Sequence, residues 1–169
     1  MSPSHEQLSR SFVQQMDQNA GILFKVAQTY CWDNEDQKDL IQEISIQAWR
    51  SFPRFNPDYK FSTWLYRVAL NVAISHVRKE TKRSSKASSL EEEYKLLSEK
   101  ENPAEEQVTA LYQAIGQQNQ INKAIILLHL EEKNYAEIAE ILGISESNVG
   151  TRLNRIKKEI KNQLNPQKP

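Results

Sequence analysis

The sequence has little cysteine, glycine or proline and no long hydrophobic run. A single cysteine, Cys31, among 169 residues excludes an internal disulfide and any metal site built from several cysteines. With 4 glycines, 6 prolines and 38% hydrophobic residues, collagen-like, low-complexity and largely disordered chains are excluded. The longest aliphatic run, residues 124–128, is far shorter than the ~20 residues that span a bilayer. The first ten residues lack the apolar segment of a secretory signal, so we expect a cytoplasmic protein without membrane insertion.

Net charge is absent as well, because 22 basic side chains balance 22 acidic ones. The balance hides opposed blocks. Residues 76–90 carry five basic groups against one acidic group, and residues 151–169 carry six against one. Residues 91–106 carry seven acidic groups against two basic ones. Two basic segments far apart in the sequence predict two contact sites for a polyanion.

Helical periodicity dominates the chain and no convincing alternating strand is found, which predicts an all-α fold. Residues 80–104 are rich in Ser, Lys and Glu, the composition of a flexible polar linker. We therefore predict two small helical domains, residues 5–79 and residues 105–165, joined by this linker. The second domain is expected to begin with helices over residues 104–117 and 119–132.

Three or four helices are predicted in the first domain. The first runs from about His5 to Tyr30 and could break near Gly21, and the second runs from Asp36 to Phe52. A loop over residues 53–61 follows, since proline stops the second helix. The next helix is expected to be long, from an N-cap at Ser62 to about Lys82.

Residues 134–164 have the pattern of a helix-turn-helix. Asn134 and Glu137 have the spacing of a capping box at the start of a short helix. Gly143 suits the left-handed residue that ends this helix, and Ser145 can cap the next one. Together these residues allow the short turn between the two helices that this motif requires.

The last helix divides on a helical wheel into an apolar back and a polar front. The back consists of Val149, Leu153, Ile156, Ile160 and Leu164. The front consists of Ser147, Thr151, Asn154, Arg155, Lys158 and Asn162. An apolar back packs against the domain while a front of donors can reach base edges and phosphates. An ordinary amphipathic helix is the alternative, but the coincidence with the caps and the turn glycine favours DNA binding.

The long helix of the first domain carries a narrow polar strip between two apolar arcs. The strip consists of Trp64, Arg67, Asn71, Ser75, Arg78 and Lys82. An indole can stack on a base, an amide can read a base edge, and cations can hold phosphates. The preceding loop adds the aromatic residues Phe55, Tyr59 and Phe61, which can capture unpaired bases. Closure of a small core explains Trp64 equally well.

The helix before that loop has a charged face with Asp39, Gln42, Glu43 and Trp49. This face is compatible with a protein interface and equally compatible with a solvated surface. A glycine-rich phosphate loop, metal-ligand spacing and a catalytic triad pattern are not found in the sequence. We therefore expect a protein that is not an enzyme and that uses no metal and no cofactor.

These motifs, in this order, resemble the extracytoplasmic-function (ECF) sigma factors of bacterial RNA polymerase, a subfamily of the sigma-70 family. The charged face with Asp39 and Glu43 looks like the region two helix that binds the polymerase beta-prime clamp helices. Residues 61–71 resemble the segment that reads and melts the minus-ten element. Residues 135–155 resemble the region four helix-turn-helix that reads the minus-thirty-five element.

The resemblance implies a sigma factor that binds core RNA polymerase, at the beta-prime clamp helices and the beta flap, and directs it to promoter DNA. The implied polymerase-binding residues are Asp39, Gln42, Glu43 and Trp49. The implied minus-ten residues are Phe55, Phe61, Trp64, Arg67, Asn71, Ser75, Arg78 and Lys82. The implied minus-thirty-five residues are Ser147, Asn148, Thr151, Arg152, Asn154, Arg155 and Lys158.

Two finer implications concern the promoter and a regulator. Phe55 and Asn71 match family positions that build the pocket for a flipped base, and residues 91–106 match the acidic segment that threads towards the RNA exit path. An anti-sigma factor is a further implied partner, because family members are often held inactive by one.

The chain departs from the family pattern at four positions, which affects the expected promoter preference rather than the class. The family commonly has an aromatic residue after the Gln42–Glu43 pair, where this chain has Ser45 two places on. Leu70 stands where the family often has an arginine, and Ser75 stands where it often has an aspartate. Gly150 stands where a basic residue is usual, which removes a phosphate contact and loses about 1 kcal/mol of helix propensity relative to alanine.

Two other functions remain open from the sequence. A stand-alone helix-turn-helix regulator would need only residues 105–165 and would leave the polar strip unexplained. A helical adaptor without DNA binding would make both basic segments solvated faces, and salt-insensitive or absent DNA binding would favour it.

Overall fold

The computed structural model describes residues 3–83 and 103–166, and all regular structure in these two ranges is helical. The predicted all-α fold is therefore confirmed. Residues 84–102, most of the predicted linker, lie outside the described residues. The chain divides into two compact units, Met1–His76 and Val77–Pro169, with the boundary inside a long helix.

The described ranges contain eight α-helices and one short 3-10 turn. The first four are α1 (His5–Gln18), α2 (Ala20–Tyr30), α3 (Asn34–Ser51) and α4 (Phe61–Arg83), with the 3-10 turn Phe52–Arg54 after α3. The last four are α5 (Pro103–Gly116), α6 (Gln120–Leu130), α7 (Tyr135–Leu142) and α8 (Glu146–Leu164).

The core of the first unit consists of apolar side chains from α2, α3 and α4. Those that are completely buried are Val26, Ala27, Leu40, Ile44, Ala48, Leu65, Ala69 and Ala73. Their three- and four-residue spacing on each helix forms the apolar stripe that drives amphipathic helices together. Helix α1 joins this core at one end, where the ring of Phe12 lies 5.1 Å from Trp49 and 5.1 Å from Phe52.

The expected break near Gly21 is present and falls two residues earlier, at Asn19. The side-chain amide of Asn19 donates to the carbonyl of Gln15, and its backbone N–H donates to the carbonyl of Met16. Asparagine side chains compete in this way with the regular helical bonds and favour helix ends. Gly21 lies inside α2, with open space where a side chain would begin.

Two helix starts in the first unit also differ from the prediction. Helix α3 begins at Asn34, two residues early, because the carboxylate of Asp33 caps the backbone N–H of Glu35. Helix α4 begins at Phe61, where the carbonyl of Lys60 already accepts from the N–H of Trp64, so Ser62 is not the N-cap. Burial of Phe61 fixes this first turn, and tertiary packing thus overrides the local preference of serine.

The second unit is built around α8, which packs against α5, α6 and α7. Its buried core includes the whole run Ala124–Leu128 of α6 together with Ile138 and Ile141 of α7. Val149, Leu153 and Ile156 of the predicted apolar back are buried. Towards the end of α8 the back emerges into solvent, where Leu164 is 39% exposed.

The predicted helix-turn-helix is present between α7 and α8. The side chain of Asn134 accepts from the N–H of Glu137 at 2.9 Å, and Gly143 ends α7 in the left-handed region at φ 68°. The hydroxyl of Ser145 then accepts from the N–H of Asn148 at 3.1 Å and starts α8. The turn between α7 and α8 therefore consists of three residues, from Gly143 to Ser145.

Candidate nucleic-acid and protein interfaces

The polar strip of α4 is exposed along the helix, as its spacing predicts. Arg67, Asn71, Ser75, Arg78 and Lys82 are all exposed, whereas Trp64 at the beginning of the strip is half-buried. The strip is backed by buried Leu65, Ala69 and Ala73. The rigid helix therefore presents amide, hydroxyl and cationic groups in one row.

An aromatic cluster lies at the start of α4 and includes three of the predicted minus-ten residues. The ring of Phe55 stacks on Phe52 at 5.9 Å and lies 5.2 Å from Trp64. Phe61 contacts both Phe55 and Trp64 from beneath and is only 7% exposed. Phe61 is thus placed to position the two half-buried rings, and DNA contact by Phe61 itself stays a prediction.

An open groove of about 320 Å³ lies between α3 and α4. Its lining consists of Glu43, Gln47 and Ser51 from α3 and Val68, Asn71, Val72 and Ser75 from α4. The two valines provide apolar walls, and the other groups provide hydrogen-bond donors and acceptors. Nδ1 of His76 lies 3.2 Å from Oε2 of Glu43 and joins the two helices at the same groove. The structure thereby brings predicted minus-ten residues and a predicted polymerase-binding residue to one place.

The charged face of α3 is exposed at three of its four predicted residues. Asp39, Gln42 and Glu43 are exposed, and Ile46 on the next turn is 47% exposed although it is a large hydrophobic residue. Trp49 lies on the same side of α3 but is half-buried, because its ring packs against His5 and Phe12 of α1 at 5.8 and 5.1 Å. The hydroxyl of Ser45 donates a hydrogen bond to the backbone carbonyl of Ile41 within the helix.

The front of α8 is exposed as predicted at Ser147, Thr151, Asn154, Arg155 and Lys158. Asn148 and Arg152 differ from these five because they are half-buried and bonded to other residues. Nε of Arg152 donates to the side chain of Asn148 at 2.9 Å, and Nη1 donates to the side chain of Asn122 at 3.2 Å. DNA contact by Asn148 and Arg152 stays a prediction.

The bonds of Arg152 continue into the unit through Gln118, which is only 8% exposed. The side-chain amide of Asn122 donates to the side-chain oxygen Oε1 of Gln118, and the side-chain amide of Gln118 donates to the carboxylate of Glu159. This network holds α6 and α8 together beneath the front of α8. Buried polar groups satisfied in this way orient the residues they join.

The described residues do not contain a group of His, Cys, Asp and Glu side chains that could hold a metal ion. Within the same ranges, every helix is too short or too polar to cross a membrane. Burial raises the pKa of the Tyr30 hydroxyl in the core of the first unit, so this group stays neutral at ordinary pH.

Comparison with known protein families decides the class. The family Sigma-70 region 2 matches residues 16–83, and the family Sigma-70, region 4 matches residues 109–160. The ECF RNA polymerase sigma-E factor of Escherichia coli (strain K12) is 32% identical over 143 residues, which cover 78% of this chain and 75% of that protein. The chain is an ECF sigma factor of the sigma-70 family. It therefore acts in the initiation of transcription, as sigma factors do.

Other relatives and solved structures agree with this assignment. The ECF RNA polymerase sigma-E factor of Haemophilus influenzae is 29% identical over 143 residues, covering 78% of this sigma factor and 76% of that protein. The fold is similar to that of CnrH in complex with the cytosolic domain of CnrY, with a TM-score of 0.67, 22% identity and coverage of 95% and 91% of the two chains. It is similar also to that of RpoE from Bartonella quintana in complex with the anti-sigma factor NepR, with a TM-score of 0.70, 16% identity and coverage of 94% and 99%.

The structure of this sigma factor adds residues that the sequence pattern did not single out. Ile46 was missed because one apolar residue in a charged face gives no periodic signal, although it follows Glu43 by three positions on the same face. Gln47 and Ser51 enter the groove only through the packing of α3 on α4. Gln118 and Asn122 are separated from their partners by 41 and 30 residues, so local spacing contains no sign of them.

Proposed function

We propose that this sigma factor reads its promoter with two separate surfaces. The polar strip of α4 and the adjoining groove bind the minus-ten element and capture a base flipped out of the duplex. The front of α8 reads the minus-thirty-five element in the major groove. Helix-turn-helix proteins place their second helix there, with an apolar back on the domain and a polar front on the DNA.

The groove between α3 and α4 is the observation that carries the minus-ten proposal. Its 320 Å³ lies near the lower end of the ~300–1,000 Å³ typical of small-molecule pockets. The walls formed by Val68 and Val72 suit the flat face of a base, while the amides of Asn71 and Gln47 suit its hydrogen-bonding edge. Flipping a base costs about a few kcal/mol, which stacking and edge contacts must offset.

The neighbouring aromatic rings support the same proposal. Phe55 and Trp64 are half-buried and are fixed in place by Phe52 and Phe61 beneath them. Rings that are held on one side and accessible on the other are stacking platforms for unpaired bases, and such stacking contributes about 1–3 kcal/mol per base. Arg67 and Arg78, both exposed on the strip, are proposed to hold the phosphates of the same strand.

The exposed face of α3 is proposed to bind core RNA polymerase. Asp39, Gln42 and Glu43 lie on the two helical turns that precede the exposed side chain of Ile46. A hydrophobic centre with a polar rim is the usual composition of a protein interface. We propose that Trp49, half-buried against α1, forms the border of this face.

The remaining parts of the proposal concern location and partners. The chain acts in the cytoplasm with core RNA polymerase, contacting its beta-prime clamp helices and its beta flap. An anti-sigma factor is a further proposed partner, since RpoE of Bartonella quintana is known in complex with one. The proposed function requires no catalysis, cofactor or metal from this chain.

Replacement of Asn71 tests the minus-ten proposal. In Asn71→Ala the base loses its edge contact, so we expect open-complex formation to weaken by about 1–3 kcal/mol. Permanganate reactivity of unpaired thymines measures melting, and co-purification with core polymerase should stay unchanged. Gln14→Ala, which removes an exposed amide from α1, is the matched control.

A second variant fills the groove without removing a polar group. Val72→Phe extends the apolar wall into the space of the base and should reduce melting in the same way. Wild-type melting by both Asn71→Ala and Val72→Phe would contradict the proposed base pocket.

A further inference from the structure

Helix α8 has a glycine in its second turn, and an aromatic ring lies against it. A Cβ atom at Gly150 would stand 3.3 Å from Cε2 and 3.7 Å from Cδ2 of Tyr135. The shorter distance is tighter than ordinary van der Waals contact, so a side chain at position 150 would require the ring to move by a few tenths of an ångström. Glycine is the least favourable helix-interior residue after proline, and α8 gives up helix propensity for this contact.

The ring borders the DNA-reading front of α8. Gly150 follows Ser147 by three positions and precedes Asn154 by four, and residues at these spacings are neighbours on one helix face. Ser147 and Asn154 are both exposed. Tyr135 is the first residue of α7 and remains 40% exposed, although its ring packs against α8. Tyr135 therefore extends the polar front of α8 at the edge where Gly150 lies.

The opposite edge of the front is constructed differently. There Arg152 is tied to Asn148 and Asn122 by hydrogen bonds within the unit. Position 150 itself has no basic side chain, although the exposed Lys157 and Lys161 lie further along the same edge, and the phenol of Tyr135 is the polar group beside Gly150. Tyrosine hydroxyls are among the donors that contact phosphate oxygens and fix the register of a protein on duplex DNA.

We propose that Tyr135 is a further DNA-contacting residue of the minus-thirty-five surface, and that Gly150 is the residue that makes room for it. The hydroxyl of Tyr135 donates a hydrogen bond to a backbone phosphate at the edge of the site read by α8. This contact rests on the proposed function of α8 as the recognition helix. It contributes affinity without adding a positive charge.

The test compares variants of the full chain in complex with core RNA polymerase. The probe is a fluorescent duplex recovered by the wild-type complex from a random-sequence pool. Tyr135→Phe keeps the ring and should weaken binding about ten- to a hundredfold, the loss of one hydrogen bond to a charged group. Tyr112→Phe removes the hydroxyl of another exposed tyrosine, on α5, and should bind like the wild type.

The second variant moves the ring without removing the hydroxyl. Gly150→Ala improves helix propensity, so it should melt at no lower temperature than the wild type, and yet it should weaken binding, by less than Tyr135→Phe does, because the ring must shift by a few tenths of an ångström. The double variant Tyr135→Phe/Gly150→Ala should bind no more weakly than the weaker single variant, since both changes act through one hydroxyl. Fully additive losses would overturn the proposal.

Salt dependence distinguishes this contact from an ionic one. Tyr135→Phe should leave the slope of log affinity against log salt unchanged, whereas Arg155→Ala should reduce it by about one. If Arg155→Ala weakens binding while Tyr135→Phe does not, the proposed contact of Tyr135 is wrong, while the proposed role of α8 as the recognition helix is supported. If neither variant weakens binding, or the pool yields no duplex, the proposed function of α8 fails together with this contact.

Discussion

Replacing Arg152 by alanine should destabilise the second unit, whereas replacing Arg155 should leave its stability unchanged. Both arginines belong to α8 and both are predicted to contact the minus-thirty-five element. Arg152 is half-buried and bonded to Asn148 and Asn122, while Arg155 is exposed on the front. The pair therefore separates a supporting role from a purely DNA-binding one.

The expected loss follows from the bonds of Arg152. Each of the two, at 2.9 and 3.2 Å, has a charged donor, and such bonds contribute about 1.5–3 kcal/mol when buried. Partial exposure screens them, so we expect a loss of about 2 kcal/mol for Arg152→Ala. For a unit of this size, that lowers the melting temperature by about 8–16 °C. Arg155→Ala should change the free energy of unfolding by less than about 0.5 kcal/mol, as usual for surface substitutions.

The distribution of tryptophan provides the assay with an internal reference. Trp32, Trp49 and Trp64 all lie in the first unit, so tryptophan fluorescence follows its unfolding, while far-ultraviolet circular dichroism follows both units. Arg152→Ala should shift the circular dichroism transition and leave the fluorescence transition in place. Binding of promoter DNA should weaken in both arginine variants.

An unchanged circular dichroism transition in Arg152→Ala would refute the reasoning, because the network would then contribute nothing to stability. A shift of equal size in Arg155→Ala would refute it as well, since that side chain is placed in solvent.

Two further predictions concern stability. Glu132 has a left-handed backbone at φ 61° after α6, and the N–H of the next residue, Lys133, donates to the carbonyl of Leu128. Because glycine adopts this conformation without strain, Glu132→Gly should raise the free energy of unfolding by about 0.5–1 kcal/mol, as measured by urea unfolding. Glu131→Gly, at a right-handed position, is the control and should not stabilise; the reverse order would contradict the role of backbone strain. Because burial raises the pKa of Tyr30 above its ordinary 10.0, the unfolded chain loses this proton first, and stability should fall as pH rises above 10.0. Tyr30→Phe should flatten that alkaline fall in a series of urea titrations, and an equally steep fall would argue against the buried phenol as its cause.

Features fixed by neighbouring residues could be predicted from the sequence. Asn134 starts the first helix of the helix-turn-helix, and Gly143 and Ser145 form its turn, through bonds that span three or four residues. The exposed strip of α4 likewise follows from helical periodicity. Such patterns depend on local geometry alone, which the order of residues determines.

Features fixed by packing could not be predicted. Ser62 is a good capping residue, but burial of Phe61 in the aromatic cluster starts α4 one residue earlier. The groove requires α3 and α4 to be placed side by side before Gln47 and Asn71 can share it. Gly150 shows the same limit, since its lost helix propensity is visible in the sequence while the ring of Tyr135 beside it is not.

The polymerase face of α3 offers the most direct test of the central claim. The measurement is co-purification of bacterial core RNA polymerase with the full chain, comparing the wild type with the charge reversal Asp39→Lys/Glu43→Lys. The reversal Asp17→Lys/Asp58→Lys is the matched control, because it changes two exposed carboxylates of the same unit outside α3. We expect stoichiometric binding by the wild type and the control, and loss of binding in the α3 variant. Absence of binding by the wild type, or full binding by the α3 variant, would contradict a sigma factor that docks through this face.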